Sequence, residues 1–79
     1  MHFVYIIQSI KDKTYYTGVT IDLEKRLKEH NSGLSRYSSV KQPFAIVWNC
    51  SFENKAKAYD FEKYLKSGSG IAFRNKHLI

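Results

Sequence analysis

Cysteine and proline each occur once in this chain of 79 residues, and acidic side chains are scarce. A lone thiol, Cys50, excludes an intramolecular disulfide and the usual cysteine-rich zinc cluster, so the chain reads as intracellular. No apolar run approaches the roughly 20 residues of a membrane span. Val4 to Ile7 is also too short for a signal-peptide core, and a soluble cytoplasmic protein without membrane contact is expected. The acidic deficit is 7 Asp and Glu against 13 Lys and Arg, a formal charge of +6. That charge on so small a surface attracts polyanions, nucleic acid foremost, without specifying any chemistry. The length leaves no room for a second, separately folded targeting domain, so one domain over residues 1–79 is expected. What the chain does have is apolar and aromatic side chains, 43% and 15% of residues, enough for a packed core and against disorder.

His2 to Gln8 is rich in β-branched and aromatic residues and apolar on both faces, the pattern of an inner strand. After the polar connector Ser9 to Thr14, the run Tyr15 to Thr20 sets Tyr15, Thr17 and Val19 on one face and Tyr16, Gly18 and Thr20 on the other. An antiparallel hairpin is predicted. Ile21 to Asn31 follows as a helix, with Thr20 as N-cap, Asp22 and Glu24 in the first turn and Gly33 as the C-terminal cap. Leu34 to Pro43 reads as a polar loop and Phe44 to Cys50 as a third strand. A second helix runs from Glu53 to Ser67, stopped by Gly68 and Gly70, and Ile71 to Lys76 forms a short last one. The expected fold is α+β: a small three-stranded antiparallel sheet packed with two main helices and a short C-terminal helix.

Within the second helix Ala58, Phe61 and Leu65 form an apolar stripe, and Glu62 occupies an i+4 position inside it. A carboxylate there is costly to desolvate unless paired or bound to a metal. Periodicity alone leaves this open against two other readings: Glu62 at the stripe's edge reaching solvent, or bridged to Arg26. On the first helix Leu23, Leu27 and His30 share a stripe with Arg26 at its edge, while Lys25, Lys28 and Glu29 point away, with Glu24 to Lys28 and Lys25 to Glu29 at ion-pair spacing. Arginine offers a planar, permanently charged fork for phosphate oxygens. Histidine is the side chain best matched to proton transfer near neutral pH. Tyrosines in strands are mostly structural, and a free phenol ionises near about 10. Gly18 marks either a close backbone approach or a bulge.

Taken in order, Phe3-Val4-Tyr5, Tyr16-Thr17-Gly18, Arg26, His30 and Glu62 resemble the GIY-YIG nuclease family, in the small single-domain form similar to the N-terminal nuclease module of the excision-repair endonuclease. Two departures are visible. The first triplet lacks the family's glycine, and Thr17 stands where isoleucine is usual. The resemblance implies a metal-dependent endonuclease that hydrolyses DNA phosphodiester bonds, leaving a 5′-phosphate and a 3′-hydroxyl. It implies Glu62 as the ligand of one divalent ion, Mg2+ or Mn2+, and Arg26 as the catalytic arginine. Tyr5 and Tyr16 would bring their hydroxyls into the site, and Tyr16 or His30 would act as general base. Asn75 matches a polar residue near the end of the family pattern.

For substrate contact the candidates are Gly18 in the second strand, Lys11 and Lys13 in the hairpin loop, Arg36, Tyr37 and Lys41 in the long loop, and Arg74, Asn75 and Lys76 at the end. Basic side chains beside aromatics suit backbone contact and stacking on unpaired bases. No base-reading helix is present, so low sequence specificity is expected on branched or single-stranded DNA, in repair or recombination. The alternative is a nucleic-acid-binding module whose cleavage is weak or depends on a partner protein or a second copy.

Overall fold

The structure, a computed structural model, describes residues 1–32 and 42–79. Three antiparallel strands, β1 (His2–Ser9), β2 (Tyr15–Thr20) and β3 (Phe44–Phe52), lie in the order β2-β1-β3. Three helices accompany them: α1 (Leu23–Asn31), α2 (Lys55–Leu65) and α3 (Gly68–His77). The α+β architecture expected from the pattern is therefore present. Strand β1 is central, and Val4, Tyr5, Ile6 and Ile7 are all buried, which is why its sequence is apolar on both faces.

Two small cores flank the sheet. Tyr5, Ile7 and Phe44 face α1 and meet Leu23, Leu27 and Ile46. Val4, Ile6 and Val19 face the other way onto Ala58 and Leu65 of α2, with Trp48, Phe52 and Phe61 around them. Fully burying one such aliphatic or aromatic side chain contributes about 1.5–3 kcal/mol. Strand β3 serves both cores because its register shifts against β1: Ile6 faces Trp48 but Ile7 faces Ile46. The extra residue, Val47, reverses which face the following side chains occupy.

Local chemistry corrects several predicted boundaries. Helix α1 starts two residues late, at Leu23, because Asp22 is the N-cap and accepts from Lys25 N at 3.1 Å. Thr20 instead holds the turn before it, its Oγ1 accepting from Asp22 N at 3.1 Å. Ser32 caps the other end, bonding Glu29 O through its backbone N–H. Gly33, expected in that role, lies outside the described residues. Strand β3 runs on to Phe52, since Cys50 and Phe52 still pair with β1.

The glycines near residue 70 do not stop α2; they begin α3. Ser67 accepts from Gly70 N and caps a ten-residue helix longer than the short one predicted. A side chain at Gly70 would overlap the backbone carbonyl of Tyr64, so this glycine serves the close crossing of α2 and α3.

Candidate active site

The hairpin register places Tyr5 opposite Gly18 and Ile7 opposite Tyr16, so both phenols and the glycine share the face turned to α1. Gly18 has no side chain in the way, and the Tyr5 ring lies across it. The Tyr5 hydroxyl reaches His30 Nε2 at 3.1 Å. The His30 ring meets Tyr16 edge-on, with centroids 5.1 Å apart, and Phe44 at 5.7 Å. Asn31 fixes the end of α1 that carries His30: its Oδ1 accepts from Phe44 N at 2.6 Å and its Nδ2 donates to Phe44 O at 3.2 Å.

Tyr5 is buried, whereas 37% of Tyr16 is exposed, so Tyr16 offers the accessible phenol and Tyr5 the one that holds His30. Burial pushes the Tyr5 phenol up to about 12; nearby Arg26 opposes the rise, while Tyr16 and Glu62 add to it. Tyr5 therefore keeps its proton through the neutral range. His30 is shifted the other way, below its usual value, first by burial and then by the Arg26 guanidinium, with Glu29 opposing. Both causes favour the neutral imidazole, the form able to take a proton.

Arg26 is half-buried at the edge of α1, as its position beside the Leu23, Leu27 and His30 stripe predicts, and pairs with Glu29 at 3.3 Å. Glu29 thus pairs with Arg26 rather than with Lys25. Glu62 is only 20% exposed in its side chain and pairs with Lys66 Nζ, one turn on, at 3.3 Å. Glu62 accordingly lies at the edge of the α2 stripe, and its ion pair is to Lys66, not to Arg26. The i to i+4 Glu-Lys spacing in the sequence carries this signal.

Helix α2 packs on the sheet face over β1 and β2. Lys55 and Tyr59 line a cleft of about 220 Å³ with Val19, Ile21 and Arg26. At its other end, Lys66 lies over the Tyr16 ring, 5.9 Å from the centroid. Glu62 lies between them on the same helix face, and its charge adds the smallest of the contributions that raise the Tyr5 phenol.

The substrate-contact candidates divide. Lys11 and Lys13 are exposed in the hairpin loop, at the Tyr15 and Tyr16 end. Arg74 belongs to the opposite face of the sheet, its guanidinium 5.0 Å from the Tyr15 ring, and donates to Asn75 Oδ1 at 3.0 Å. Arg74, Asn75 and exposed Lys76 are thus separate from the His30 cluster. Arg36, Tyr37 and Lys41 lie outside the described residues.

Among the described residues no group of three His, Cys, Asp or Glu side chains could hold a metal. Glu62 is one half-buried carboxylate paired with an exposed lysine, and a hard cation that keeps most of its waters needs little more from the protein. A single carboxylate of this kind fits a hard divalent cation whose other ligands are water and phosphate oxygens. No helix among the described residues is long and apolar enough to cross a membrane.

The GIY-YIG catalytic domain family model matches residues 1–74. The chain is 43% identical over 67 residues to the UPF0213 protein CPE1444 of Clostridium perfringens, covering 84% of this chain and 71% of that protein. It is 39% identical over 66 residues to the UPF0213 protein YazA of Bacillus subtilis, covering 82% of this chain and 66% of that one. The matched stretch thus spans about two thirds of these relatives. Among solved structures it resembles the solution NMR structure of the UPF0213 protein BH0048 from Bacillus halodurans, with a TM-score of 0.57 and 33% identity over 95% of this chain and 82% of that chain.

Proposed function

Because the chain belongs to the GIY-YIG catalytic domain family, we propose that it is a metal-dependent endonuclease acting on DNA phosphodiester bonds. The observation that supports this reading is the packing of Tyr5 and Tyr16 of the hairpin against His30 of α1, with the Arg26 guanidinium near enough to shift both Tyr5 and His30. Water attacks phosphorus in line, the bond to the 3′ oxygen breaks, and the products are a 5′-phosphate and a 3′-hydroxyl. Arg26 holds the charge that develops on the phosphate oxygens, where a preorganised donor acts in the transition state. His30, kept neutral by burial and by Arg26, removes the proton from the attacking water. Tyr5 is a positioning residue that fixes the imidazole, and Tyr16 orients the water or phosphate from its exposed side. Glu62 would hold Mg2+ or Mn2+. The ion, when bound, supplies charge neutralisation at the scissile phosphate and leaving oxygen.

Low sequence specificity, a role in repair or recombination, and a cytoplasmic location with a partner protein or second copy for targeting complete the reading. Specificity is low because phosphate contacts position a nuclease without reading bases. The Glu62–Lys66 pair favours one second reading, a nucleic-acid-binding module with weak or partner-dependent cleavage, since the carboxylate already has a cation. A nicking assay on supercoiled and branched DNA separates the two: magnesium-dependent cutting that EDTA abolishes supports the enzyme, and retention of DNA without cutting supports the module.

The pH profile tests the choice of base. A His30 base must be deprotonated to work, so kcat/KM is expected to fall tenfold per pH unit on the acid side, with an apparent pKa below about 6.5. Above it a plateau follows, because Tyr5, at about 12, does not ionise in that range. His30→Gln should lose the acid limb. An acid limb that persists unchanged in His30→Gln takes the role of base away from His30.

A further inference from the structure

Apart from Arg26, the residues lining the cleft have no part in the chemistry above. Its lining carries the cations Arg26 and Lys55, the polar His2 and Thr20 and no carboxylate, while Val19, Ile21 and Tyr59 supply apolar surface. At about 220 Å³ it falls below the roughly 300–1,000 Å³ of pockets that enclose a whole small molecule. One unit of a longer chain suits it better. Tyr59 is 48% exposed, so its ring is accessible from solvent. Lys55 Nζ stands 5.8 Å from the centre of that ring, near the outer limit of about 6 Å for such contacts, so the ammonium is loosely held. Tyr59 also shares a helix face with Glu62, three residues and about 4.5 Å farther along α2.

From these features we infer that the cleft receives the unpaired nucleotide next to the scissile phosphate, with its base stacked on Tyr59 and its phosphate held by Lys55. This rests on the proposed nuclease function and specifies where its substrate must be unpaired: at the position flanking the cut. A base within a duplex keeps its own stacking partners and has no face to offer Tyr59. An unpaired base gains about a tenfold affinity or more from an aromatic platform.

The test measures anisotropy of a fluorescein-labelled single-stranded oligodeoxynucleotide in EDTA, where binding is read without cleavage. Tyr59→Ala and Lys55→Ala should each weaken binding about tenfold, and Tyr59→Phe should retain it because the stacking face remains. Lys55→Ala should also reduce the slope of log affinity against log salt by about 0.7, one phosphate contact on a single strand. A blunt duplex of the same length should be insensitive to Tyr59→Ala. Both residues are exposed, so unchanged melting temperatures serve as the folding control. Tight binding by the parent with no loss in Tyr59→Ala, or equal loss in Tyr59→Phe, overturns the subsite alone. A parent that neither binds nor cuts any DNA overturns the proposed function and the subsite together.

Discussion

Arg26→Ala is expected to lower the cleavage rate by about 10²–10³-fold while the protein stays folded. The rate loss follows from removing a preorganised cation at the point where phosphate charge grows. The fold survives because the group Arg26 leaves behind, Glu29, is nearly half exposed and can turn to water. An exposed helix pair of this spacing stabilises by only about 0.2–0.5 kcal/mol. Arg26→Lys keeps the charge but not the two-pronged donor, so partial activity is expected. Glu62→Gln should be as damaging as Arg26→Ala, for a different reason: the amide keeps the shape but loses the charge that a divalent ion requires. Its loss should persist at high magnesium. Rates measured beside circular dichroism melts check both variants, and undiminished cutting by either removes that residue from the site.

Gly18→Ala should cost both activity and stability, although the change is a single methyl group. The new Cβ would overlap the Tyr5 hydroxyl and the ring carbon that bears it. That ring cannot retreat easily, since Tyr5 is buried among Leu23, Leu27 and Ile46. Overpacking of this kind costs about 1–3 kcal/mol. In a domain of this size each kcal/mol lowers the melting temperature by about 4–8 °C. The displaced phenol would also release His30 from its 3.1 Å hydrogen bond, and a shift near 1 Å in a catalytic group costs about 10²-fold in rate. Gly68→Ala is the control, because a methyl there meets nothing within 4 Å. If Gly18→Ala melts and cuts like the parent, Tyr5 is not held where the mechanism needs it.

Much of this was legible in the residues. The alternation in Tyr15 to Thr20 predicts which face carries Tyr16 and Gly18, and the uniform apolarity of Val4 to Ile7 predicts a central strand. Helical spacing correctly puts Arg26 at the edge of the Leu23 and Leu27 stripe. Other features depend on contacts between elements that no local pattern encodes. Gly70 reads as a helix stop because glycine usually ends helices, but its role is the close crossing of α3 over Tyr64. The partner of Glu62 was ambiguous because the sequence does not say where α1 and α2 lie relative to one another. Lys66 wins by proximity on its own helix. The different duties of the two phenols come from burial in three dimensions, with Tyr5 covered by α1 and Tyr16 open beside Lys66. Asn31, which ties α1 to β3 and so holds His30 in place, looks like any polar helix end until its bonds to Phe44 are seen.

The most direct test is a crystal grown with manganese, the ion being located by its anomalous scattering. The proposed site predicts manganese bonded to the Glu62 carboxylate, Lys66 turned away, and Arg26 and His30 facing the ion's open side. Manganese bound elsewhere, in a protein that cuts DNA with the same ion, would contradict it.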